Sequence, residues 1–172
     1  VVYHNCSLLA YLFGEYELAA KMAAKGEALV SKVQSFYADG NHTFVQGLIS
    51  LALGRSTDQT NFQTIAKQSI DQMEIWSEYA PWNFQHKLLL LQAEYAFVFV
   101  KSDDAAVLYD KAIDKAAENG ITQDLAIAYE RAGLFNFAQG NASKASQLYG
   151  QAHDVYLQWG ARCKAENLRL RS

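Results

Sequence analysis

Glu94 and Glu130 each fall inside an otherwise largely apolar stretch, with no basic residue three or four positions away. Those are the positions that touch on a helix, so neither acid can make an intrahelical salt bridge. A buried carboxylate needs a partner, which leaves three destinations: solvent, a binding groove, or a cation supplied by a neighbouring helix. Paired or solvated acids are the expectation, because functional carboxylates are the rarer case.

The remaining reactive side chains are scattered. His4, His42, His86 and His153 never pair at metal-ligand spacing, and His4 and Cys6, two residues apart, point to different faces of a helix. No metal, cofactor or Cys-His nucleophile is expected. Asp103-Asp104 suits a helix start, where a capping oxygen and negative charge are both favoured, better than it suits cation binding. Trp76, Trp82 and Trp159 lie near expected helix ends and read as packing between helices rather than a ligand-stacking surface. The sequence has neither a Gly-rich phosphate loop nor a kinase catalytic loop.

The elements that must hold these residues are helices. Glycines, turn residues and the single proline divide the chain into apolar-periodic segments of helical length, with no strand pattern competing. The first pair is roughly Val1 to Phe13 and Glu15 to Tyr37, joined at Gly14 and ended by Asp39-Gly40. The second runs from His42 to Leu53 and from Asn61 to Tyr79, around a turn from Gly54 to Asp58. The third opens at Pro81, reaches about Val100, restarts at Ser102-Asp103-Asp104 and ends at Gly120. The fourth covers Thr122 to Gln139 and Ala142 to Trp159, around Gly140-Asn141. Arg162, Lys164, Arg169 and Arg171 follow, with the spacing of a solvated face.

The third and fourth pairs repeat one another at forty residues: Ala105-Tyr109-Ala112 matches Ala145-Tyr149-Ala152, and Ala93, Tyr95, Phe97 and Leu108 match Gly133, Phe135, Phe137 and Leu148. Small residues thus recur where helices approach and aromatics where they fill space. Ala66, Ile70 and Met73 keep the register with drifted residue types. In the first pair it is ambiguous, since Ala19-Ala23-Gly26 and Gly26-Val30-Val33 share the spacing.

Composition narrows the partners. The chain has 172 residues, 51% hydrophobic and 19% charged, which describes one folded domain over 1–172 rather than a disordered segment. Its 15 basic and 18 acidic residues include no basic run, so nucleic acid is not an expected partner. No apolar run approaches the roughly 20 residues of a membrane span. Cys6 and Cys163 lie near opposite ends and are expected as free thiols in a cytoplasmic setting. The sequons at Asn5, Asn41 and Asn141 read as chance, the last two suiting helix caps, and the start Val1-Val2-Tyr3-His4 reads as a piece of a longer protein.

The third and fourth pairs resemble tetratricopeptide repeats, which carry a small residue midway along the first helix and Ala-x3-aromatic-x2-Ala on the second. Both sets are complete here. The aromatic three residues after the small one is replaced by Ala96 and Asn136, the terminal proline by Ala117 and Leu157, and the period exceeds the usual length of about 34. A longer string is similar to the helical region of multidomain signalling proteins that combine a serine/threonine-kinase-like domain, an AAA-type ATPase and a sensor histidine kinase. It consists of Pro81-Trp82-Asn83-Phe84, Ala93-Glu94, Leu108 to Ile113, Ala128-Tyr129-Glu130-Arg131-Ala132, Tyr156 to Ala161 and Lys164-Ala165.

The resemblance implies an all-α fold, an α-solenoid of about four antiparallel helix pairs plus a C-terminal helical tail. It also implies a noncatalytic scaffold for contacts with proteins, peptides or flanking domains. Groove-facing positions of the motif transfer to Lys87, Leu90, Glu94, Phe97 and Val98, and to Ile127, Glu130, Leu134, Phe137 and Ala138. Such a groove, apolar with acidic points, suits a basic-hydrophobic peptide or another helix. The same residues would also serve packing against neighbouring repeats. The alternative is a small-molecule sensor with a pocket lined by Tyr95, Phe97, Tyr129 and Phe135.

Overall fold

The computed structural model describes residues 2–30, 36–56, 60–100 and 104–170, and every regular element among them is helical. The chain divides into two compact units, Val1–Tyr79 and Ala80–Ser172, with the boundary just before Pro81.

The first unit contains α1 (Val2–Leu12), α2 (Tyr16–Val30), α3 (Phe36–Ser56) and α4 (Thr60–Tyr79), most closely packed as the couples α1/α2 and α3/α4. Ala19, Ala23 and Gly26 are buried along one face of α2, and a Cβ on Gly26 would stand 3.4 Å from the Cβ of Tyr3 and 3.8 Å from Cε1 of His42. These three form a packing face of α2; of the other set, Val33 and the side chain of Val30 lie outside the described residues. Ala66, Ile70 and Met73 are likewise the buried face of α4.

One boundary differs from the sequence reading. Asp39-Gly40 does not end a helix but lies within α3, which places Asn41 inside that helix rather than at a cap. An interior glycine costs about 1 kcal/mol against alanine. Phe44, Val45, Leu48 and Ile49 of the same helix are all buried, and each such side chain returns roughly 1.5–3 kcal/mol. Packing therefore overrides the breaker.

The second unit contains α5 (Pro81–Tyr95), a π-helical turn over Ala96–Val100, α6 (Asp104–Glu118), α7 (Thr122–Ala138), α8 (Ala142–Trp159) and α9 (Arg162–Arg169). Pro81 opens α5 in the first turn, where its missing N–H leaves no bond unmade. Ser102 and Asp103 lie outside the described residues. Asn141 takes the cap position of α8, but without a side-chain capping bond.

Gly120, Gly140 and Gly160 explain the forty-residue period. They stand twenty residues apart, all in the left-handed region, with φ of 67°, 80° and 90°. At the last, the Gly160 N–H donates to the Leu157 carbonyl at 3.0 Å and the Ala161 N–H to the Tyr156 carbonyl at 2.8 Å, a Schellman closure. Ala161 is at once the first acceptor of the next helix, bonded by the Ala165 N–H at 3.0 Å. The pattern recurs at Gly120 and Gly140, and in the first unit at Gly14. The helices α1, α6, α7 and α8 are thus closed by the same two-residue turn.

The repeated small and aromatic residues form the interfaces. Ala93, Ala105, Tyr109, Ala112, Ala145 and Ala152 are buried, and Gly133 backs directly onto Tyr149. A Cβ on Gly133 would lie 2.8 Å from two carbons of that ring. Gly133→Ala is therefore expected to destabilise the protein by about 1–3 kcal/mol through overpacking, measurable by urea denaturation. An unchanged midpoint would place the α7/α8 contact elsewhere.

Candidate functional site

Three carboxylates of the second unit are paired with cations from other helices, two between α5 and α7 and one between α7 and α9. Glu94 of α5 is 1% exposed and accepts three hydrogen bonds. Arg131 of α7 grips it with two, Nε to Oε1 at 2.8 Å and Nη2 to Oε2 at 2.7 Å, and the Tyr109 hydroxyl of α6 donates to Oε1 at 2.6 Å. Seven residues earlier on both helices, Lys87 of α5 donates to Oδ2 of Asp124 on α7, and Nε2 of His86 approaches the same oxygen at 2.7 Å. With Asp124 ionised, that contact requires the hydrogen on Nε2, which leaves the buried Nδ1 without a partner.

Both pairs span 37 residues, so α5 and α7 run parallel in one register with the polarity of the pairs reversed. The series continues to α9. Glu130 of α7 accepts from Nζ of Lys164 at 2.6 Å and from the Tyr156 hydroxyl of α8 at 2.7 Å. Glu94 and Glu130 thus share one arrangement: an acid on a first helix, a tyrosine from the second, and a base from the next first helix. Of the three destinations open to these acids, the structure selects the neighbouring helix's cation.

The electrostatics follow from burial. Burial alone would raise the Asp124 carboxyl, but the Lys87 ammonium and the His86 ring outweigh it and hold the group below the ordinary carboxylate range. Glu94 and Asp124, buried with their oxygens taken by fixed donors, are poorly placed to act as general bases. Their chemistry is cohesion between helices.

Of the positions transferred from the repeat motif, Lys87, Leu90, Glu94 and Ile127 are buried, Lys87 at only 3% exposure. Phe97, Val98, Glu130 and Leu134 are half-buried, while Phe137 and Ala138 are exposed, Phe137 at 64%. What remains open in this row is therefore apolar, and the acidic points are spent on internal pairs. Lys164, expected on a solvated face, is buried for the same reason.

The aromatics of the alternative reading are divided. Phe97 meets Phe135 edge-on with ring centroids 5.2 Å apart, Tyr109 covers Phe135 at 5.3 Å, and Tyr95 lies against Phe99 at 5.2 Å. Tyr129 instead lines a separate open pocket with Asp110, Asp114 and Lys144. Among the described residues no group of three or more His, Cys, Asp or Glu is arranged to hold a metal ion, and no helix is long and apolar enough to cross a membrane. Cys6 and Cys163 are free and exposed.

Sequence reasoning missed the Lys87-His86-Asp124 cluster and the role of Arg131. The signal was the common offset: two basic residues and two acids in apolar helices, paired 37 apart. Looking only three or four positions away hid it. Compared with protein-family models, curated proteins and solved structures, the chain has no match in any of the three.

Proposed function

We propose that this chain is a noncatalytic helical-repeat scaffold that carries contacts with a protein, a peptide or flanking domains. Its helix pairs stack as a tetratricopeptide-like solenoid. The observation that carries the reading is the fate of the charged side chains on α5, α7 and α9: they tie each first helix to the next, while Phe137 stays open beside them. A surface of that kind works by shape and apolar complementarity along stacked helices. Acids committed internally no longer favour a basic partner on this row. The signalling context rests on the ordered string from Pro81 to Ala165, which resembles the helical region of multidomain kinase and ATPase proteins.

A thermal-shift screen separates this reading from the small-molecule sensor. Peptides from a display selection on the purified protein are expected to raise its melting temperature, and metabolites are not. Phe137→Asp should abolish the peptide effect without lowering the basal melting temperature, since the side chain is exposed. Stabilisation by a metabolite and by no peptide would contradict the scaffold.

A further inference from the structure

Free negative charge survives on the second helices of the pairs. An open pocket of about 260 Å³ lies between α6 and α8, lined by Asp110, Ile113 and Asp114 on one side, Leu148 and Lys144 on the other, and Tyr129 from α7. We propose that this pocket receives the guanidinium of an arginine side chain on a partner polypeptide.

Size decides first between a small molecule and a side chain. Sites for whole small molecules run to roughly 300–1,000 Å³, so this volume suits one long side chain better. Charge decides its sign. Asp110 and Asp114 stand one turn apart on α6 with both carboxylates toward the same face. Lys144 pairs with Asp110 across the pocket, but its Nζ is 3.7 Å from Oδ1 and both side chains are largely exposed. A loose exposed pair of that kind contributes at most about 1 kcal/mol and yields readily to a competitor.

The rest of the lining fits arginine over lysine. Two acids one turn apart match a planar fork of donors better than a single ammonium. Ile113 and Leu148 are buried at the base of the walls and offer apolar contact to the methylene stem. Tyr129 supplies an aromatic ring of the kind a guanidinium stacks on. Gln147 and Gln151, one turn apart on α8, add amide donors and acceptors for the partner's backbone.

The site rests on the scaffold reading for its polypeptide partner, yet its charged and amide side chains lie on α6 and α8 rather than on Phe137's helix, so it can be tested apart from Phe137. Titrations followed by amide NMR would use N-acetyl-arginine amide, its neutral citrulline isostere, and arginine-containing peptides. The arginine amide should shift the signals of Asp110, Asp114, Gln147 and Gln151, and the citrulline isostere should bind about tenfold more weakly or not at all. Asp114→Asn should weaken the arginine probe about fivefold or more, and Lys144→Met should tighten it. Because these side chains are exposed, both variants should keep the wild-type melting temperature. Equal binding of citrulline, indifference to Asp114→Asn, or shifts centred elsewhere would overturn the site. Arginine-containing peptides no tighter than the amide would overturn the polypeptide source. Peptides that bind through Phe137 with no dependence on arginine would leave the scaffold standing and remove this inference.

Discussion

Arg131→Met is expected to destabilise the protein by about 3–5 kcal/mol, which would leave it barely folded or unfolded. The substitution keeps a long side chain but removes the guanidinium from Glu94, whose carboxylate is 1% exposed and retains the Tyr109 hydroxyl as a neutral donor. The loss measures the penalty of a buried unpaired charge more than the strength of the bond. A triple variant tests that distinction. Glu94→Met, Tyr109→Phe and Arg131→Met together remove the acid, the base and the hydroxyl that would lose its acceptor. Replacing buried pairs by apolar residues of similar volume is commonly neutral or stabilising, so the triple variant should recover most of the loss. Urea midpoints of the single and triple variants check both statements. A triple variant as unstable as the single one would mean that the cluster's polarity itself holds α5 to α7.

Lys87→Met is expected to cost a comparable 3–5 kcal/mol at about pH 7, and less at low pH. In the wild type the Asp124 carboxyl is held below its ordinary range, so it stabilises the fold above the unfolded value of about 3.9. That contribution is lost as pH falls through the lower folded value. Without the ammonium, only the His86 ring is left to oppose burial, so the carboxyl rises from its wild-type position. Protonation then relieves the variant while it weakens the wild type, so the stability gap between them should narrow below about pH 4. Other titrating carboxyls affect both proteins alike and cancel in the difference. A gap that stays constant from about pH 7 to pH 3 would show that Lys87 contributes through packing rather than through Asp124.

How much of this was legible in the sequence depended on whether the cause was local. Gly14, Gly120, Gly140 and Gly160 mark helix ends because a left-handed backbone is a local requirement, and all four take it. Pro81 and the sets Ala105-Tyr109-Ala112 and Ala145-Tyr149-Ala152 were readable for the same reason: period and residue size act within one or two helices. Gly40 was misleading because its helix is held by distant burial of Phe44 and Leu48, which the residues beside it do not announce. Glu94 and Glu130 were recognisable as acids in need of a partner. Their partners Arg131 and Lys164 were not, since each lies beyond an intervening helix, 37 and 34 residues on. The groove transferred from the repeat motif assumed that its polar residues face outward, whereas here three of them, Lys87, Glu94 and Glu130, bind neighbouring helices. Of the transferred groove positions only Phe137 and Ala138 are exposed, and Phe137 is the large apolar one.

The central claim is that the buried acids join helices while contact with partners is made by exposed side chains. Binding of a display-selected peptide by the triple variant Glu94→Met, Tyr109→Phe, Arg131→Met, measured by calorimetry beside the wild type and Phe137→Asp, tests it most directly. The triple variant is predicted to bind as the wild type does, and Phe137→Asp to lose binding. A folded triple variant that no longer binds, with Phe137→Asp unaffected, would make Glu94 and Arg131 part of the recognition site and contradict the account.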